Sequence, residues 1–121
     1  MRTLICLICM LVWAPTAKAQ DFRDPYPVES LASVLGQLHY LDFACNGRQS
    51  QTWRQAMVEL LAQEAPARGA FRERLVENFN AGFRRLERRR VRCGAETELE
   101  RERLARQGQA LSEQLRRTYL D

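Results

Sequence analysis

From Val28 onward, apolar residues recur at steps of three and four, and no stretch alternates apolar with polar in the two-residue rhythm of a strand. That pattern restricts the chain to an all-α fold, and its prolines and glycines divide it into four helices. Val28, Leu31, Leu35, Leu38 and Leu41 predict helix one over about 28–45, with Pro27 suited to its first turn and Asn46-Gly47 to its end. Trp53, Met57, Leu60 and Leu61 share a face of helix two, about 51–64, where Thr52 and Gln55 form a candidate capping box, Ser50 is the alternative cap, and Pro66 is a stop. Phe71, Leu75, Phe79, Gly82, Phe83 and Leu86 mark helix three, about 67–91, broken by Cys93-Gly94. Helix four, about 95–119, carries Leu99, Leu104, Gly108, Leu111, Leu115 and Tyr119 on the side expected to be buried. Connections this short set sequential helices side by side, so the expected architecture is a four-helix up-down antiparallel bundle.

Ahead of the helices stands a leader. Met1-Arg2-Thr3 is a short positive start, Leu4–Trp13 is a run of ten uncharged residues, and Ala17-Lys18-Ala19 has the small-x-small form of a cleavage site. A bilayer span needs ~20 apolar residues, about twice this run, so residues 1–19 read as a signal peptide cleaved after Ala19, and the expected location is the periplasm. Residues 20–27, with Pro25 and Pro27, form an extended lead-in, and residues 28–121 a single helical domain. Cleavage removes Cys6 and Cys9 and leaves Cys45 and Cys93. In an oxidising compartment an isolated pair forms a disulfide, here closing 47 intervening residues for ~4 kcal/mol in the chain-entropy account. A redox pair would need C-x-x-C spacing, and a zinc site more ligands than two sulfurs and a lone histidine, so no metal and no cofactor are expected. In an antiparallel bundle both cysteines fall at one end, in agreement with the pairing. Gly36, Gly82 and Gly108 fall at a similar height, where they would permit close helix contact or a small pocket.

The chain carries 19 basic and 15 acidic residues, but Arg2 and Lys18 leave with the leader, so 17 arginines face 15 acids and the net charge is +2. That balance does not compel a nucleic-acid partner, and none is expected of an exported protein. Six arginines, Arg84, Arg85, Arg88, Arg89, Arg90 and Arg92, crowd one nonapeptide. They read either as an anion-binding stripe for phospholipid headgroups or another envelope polyanion, or as a structural face paired with Glu96, Glu98, Glu100 and Glu102 across the following turn. His39 and Asp42 share a helix face, yet no serine, second histidine or free thiol completes a nucleophile or ligand set. His39 therefore reads as a hydrogen-bonded packing residue, placed by level to meet Glu87 or Arg90. Trp53 reads as a core residue covering the disulfide end with Arg54 on its flank, and Asn80 as a buried hydrogen-bonder or a solvated amide.

The segments LGQLHYLDFACNG at 35–47, QTWRQAM at 51–57 and FNAGF at 79–83, with the second cysteine at Cys93, resemble a family of small exported alphaproteobacterial proteins of unknown function. The resemblance spans nearly the whole mature domain; it implies export and a two-cysteine helical domain, and implies no activity. The expected function is that of a non-enzymatic interaction module of the cell envelope binding another envelope protein. An anion-binding surface protein acting at an anionic membrane, and a small periplasmic chaperone, are the alternatives.

Overall fold

The computed structural model describes residues 23–120, so the leader at 1–19 and the first residues of the lead-in lie outside the described residues. Four helices account for nearly all of the described chain: α1 (Pro27–Asn46), α2 (Thr52–Glu64), α3 (Ala70–Arg88) and α4 (Ala95–Leu120).

Helix α1 begins with Pro27 in its first turn, and Asp24 closes that end. The Asp24 carboxylate accepts from the Tyr26 amide at 2.8 Å and the Ser30 hydroxyl at 2.7 Å. Two bonds between Asp24 and Gln114 then fix the lead-in to α4: the Asp24 amide donates to Gln114 Oε1 at 3.1 Å, and Gln114 Nε2 donates to the Asp24 carbonyl at 2.7 Å. The helix ends at Gly47, as Asn46-Gly47 predicts, with a φ of 87° that glycine adopts without steric cost. Helix α2 starts without the expected capping box, because Thr52 is already helical and Gln51, at the cap position, makes no side-chain cap hydrogen bond.

Helix α3 is shorter than its periodicity suggests. It stops before Cys93-Gly94 because Arg90 takes a left-handed φ of 52°. The Arg90 amide then bonds the Glu87 carbonyl at 3.0 Å, and the Val91 amide bonds the Leu86 carbonyl at 3.5 Å. This paired closure is the Schellman arrangement, formed on an arginine where glycine is usual. Helix α4 follows at its expected place, with Thr97 fully buried and its hydroxyl donating to the Arg92 carbonyl. Leu99 and Tyr119, expected on its buried side, are 68% and 69% exposed. Leu99 sits on the outward face of α4, between the fully buried Thr97 and Leu104, and Tyr119 lies in its last turn.

The helices are organised around α1. It is apolar on nearly every side, a property of a helix covered all round. On one side Ala32 and Leu35 meet Met57, Leu60, Leu61 and Leu75; on the other Val34, Leu38 and Leu41 meet Leu86, Leu104 and Leu111. Helix α3 lies directly on α1, whereas α3 and α4 make no close backbone approach despite being consecutive. Two glycines set this arrangement. A Cβ on Gly36 would lie 1.9 Å from the Phe79 carbonyl oxygen, and one on Gly82 would lie 2.2 Å from that of Ser33. The α1–α3 crossing is thus a backbone-on-backbone contact that any side chain at either position would pry apart. Gly108, expected in the same layer, faces Val34 and Leu31 side chains at ordinary distances instead. Cys45 and Cys93 are bonded, with Cα atoms 5.0 Å apart, and Tyr40 Oη donates to the Val91 carbonyl at 3.0 Å beside them.

Candidate functional site

With α3 drawn down onto α1, grooves remain on both of its flanks. The first lies between α2 and α3, occupies about 460 Å³, and has His39 of α1 in its lining. Its walls follow helical spacing: Arg54, Met57, Val58 and Leu61 on α2, and Val76, Phe79, Asn80, Phe83 and Arg84 on α3. The lining is mainly apolar, and Val58 and Val76 are exposed on it. One guanidinium stands on each bank: Arg54 is exposed, and Arg84 is held by Glu77 at 2.8 Å.

His39 does not meet Glu87 or Arg90 as its level suggested. Its ring lies against Phe79 and Phe83, with centroids 5.7 and 5.6 Å away. The reason is the glycine crossing, which brings the phenylalanine stripe of α3 down to α1 and leaves the charged C-terminal turn of α3 beyond reach. His39 Nδ1 is buried without a hydrogen-bond partner among the described residues. Burial holds the imidazole below its ordinary value of 6.5, with Arg54 acting in the same direction and the Asp42 carboxylate opposing both. Burial thus favours the neutral form of the ring. Asp42, one turn on, is buried and accepts from Asn46 Nδ2 at 2.6 Å and from the Ser50 hydroxyl. Burial alone would raise its carboxyl, but those hydrogen bonds, with the charge of Arg101 and that of His39 once it is protonated, hold it below its ordinary range. Trp53 is half-buried and packs against both halves of the core, and Asn80 is exposed on the groove.

The arginine run does not form one stripe. Arg84 lines the α2–α3 groove, Arg85 lines the groove on the opposite flank of α3, and Arg89 lies 4.0 Å from Glu100 of α4. Arg88, Arg90 and Arg92 are exposed and make no ion pair among the described residues. The acids opening α4 serve mainly their own helix, Glu98 with Arg101 and Glu100 with Arg103.

The profile of a family described as a protein of unknown function (DUF2385) matches residues 25–119. The chain belongs to that family. Neither a curated protein nor a solved structure matches it. The DUF2385 match runs from the lead-in to the last turn of α4, so the helical unit and the family domain coincide. Within this DUF2385 domain the three motif segments of the sequence converge on the α2–α3 groove. His39 comes from 35–47, Arg54 and Met57 from 51–57, and Phe79, Asn80 and Phe83 from 79–83.

The groove on the other flank, between α3 and α4, draws on residues that periodicity alone did not single out, among them Ser33, Gln37, Arg74, Asn78, Arg103 and Gln107. A usable signal was present: Ser33 and Gln37 are polar residues four apart inside the most apolar helix.

Proposed function

We propose that the protein is an exported, periplasmic helical module that acts without catalysis, by binding an apolar, carboxylate-bearing segment of another envelope protein in the α2–α3 groove. The observation that carries this reading is one exposed, mainly apolar groove lined from three helices, with an arginine on each bank. Those two guanidiniums suit a carboxylate, and the neutral imidazole of His39 lets an apolar side chain lie beside it. The Cys45–Cys93 bond supports an oxidising compartment. Paired positions support the up-down course of the chain, since Asp24 meets Gln114 while Val34 meets Gly108 further up α1.

Photocrosslinking from Val58 and Val76 in living cells tests this reading. The expected result is a discrete protein adduct from both positions, lost when Arg54 and Arg84 are changed to Glu. A lipid adduct, no adduct, or a protein adduct indifferent to those two changes would overturn it.

A further inference from the structure

The α3–α4 groove differs from its neighbour in almost every chemical respect. Three guanidiniums line it, Arg74 and Arg85 from α3 and Arg103 from α4, against the single carboxylate of Glu29. Glu29 lies 3.8 Å from Arg74, Arg103 is bonded to Glu100, and Arg85 makes no ion pair among the described residues. A surplus of positive charge in a recess, with one guanidinium uncommitted, suits an oxyanion held bidentately.

The remaining lining is amide and hydroxyl. Asn78 stands one turn beyond Arg74, Gln107 one turn beyond Arg103, and Ser30 and Ser33 lie on α1. Gln37, only 6% exposed, donates Nε2 to the Ser33 carbonyl at 3.3 Å, while its own side-chain oxygen accepts no hydrogen bond from the described residues. Its oxygen is open to water in this groove of about 590 Å³, and a ligand that donates hydrogen bonds can take the place of that water. Ligand hydroxyls supply such donors. Tyr26, 67% exposed, adds an aromatic face to the same lining, on which a sugar ring can lie.

We propose that this groove binds an anionic saccharide, its acidic group on Arg85 and its hydroxyls on Gln37, Asn78 and Gln107. The acidic group is a phosphate or a carboxylate, since a guanidinium matches both. This site shares no lining residue with the α2–α3 groove, so the two readings stand or fall separately.

Calorimetric and NMR titrations of the purified protein with glucose 1-phosphate, galacturonate, neutral glucose and inorganic phosphate test the proposal and separate the two acidic groups. At least one charged sugar is expected to bind at least tenfold more tightly than glucose or phosphate alone. Arg85→Gln and Tyr26→Ala should each weaken that binding at least tenfold, while Arg84→Gln on the opposite flank leaves it unchanged. Phosphate binding as tightly as the charged sugars would reduce the groove to an unspecific anion site and overturn the proposal. Absence of binding by both charged sugars, or binding indifferent to Arg85→Gln in a variant whose amide spectrum remains native, would overturn it equally.

Discussion

At the scale of single residues, His39 and Asp42 are the groups whose chemistry the fold alters, and both make acid the weak side of the protein. Asp42 titrates below its ordinary value of 3.8, so its contribution to stability is present above that pH and is lost as pH falls through the lower folded value. His39 titrates below 6.5, so the folded state resists taking up a proton that the unfolded chain accepts, and stability erodes as pH falls below 6.5. Two successive losses on acidification are the expected outcome. Urea midpoints measured from neutral to acid pH should show the upper one flattened in His39→Gln and the lower one flattened in Asp42→Asn. That His39 and Asp42 share a helix face was legible from their spacing. The phenylalanines around His39 were not, because spacing within one helix carries no information about which residues a second helix presents to it.

At the scale of elements, the contact that decides the packing is the crossing of α1 and α3. Alanine at Gly36 or Gly82 gains ~1 kcal/mol of helix propensity, but its Cβ collides with a carbonyl oxygen that belongs to the opposing helix backbone and cannot rotate away. Separating the helices costs about 1–3 kcal/mol or more of packing, so Gly36→Ala and Gly82→Ala are expected to lower the urea midpoint. Gly108→Ala provides the contrast: its Cβ would sit 3.4 Å from a Val34 methyl carbon, and the midpoint should hold or rise. The helix limits themselves were largely readable from Pro27, Gly47 and Pro66. The end of α3 was not, because a Schellman closure on Arg90 depends on a left-handed backbone that an arginine does not advertise.

At the scale of the whole molecule, one covalent bond fastens the end of α1 to the loop that follows α3, the same two helices that the glycines press together. Replacing Cys45 and Cys93 by alanine should therefore leave the helical circular dichroism spectrum intact while lowering the unfolding free energy by up to ~4 kcal/mol, measured in urea against the parent protein. The all-helical class, the four segments and the pairing of Cys45 with Cys93 were determined by the sequence alone. Periodicity and helix-ending residues are local, and Cys45 and Cys93 are the two cysteines that fall within the helical segments and their turns. Only the tertiary structure decided that α1 is the central helix, that Arg84 and Arg85 line different grooves, and that segments of three helices meet around His39. Those outcomes depend on how closely two backbones approach at Gly36 and Gly82, a distance set by packing in three dimensions and by no spacing along the chain.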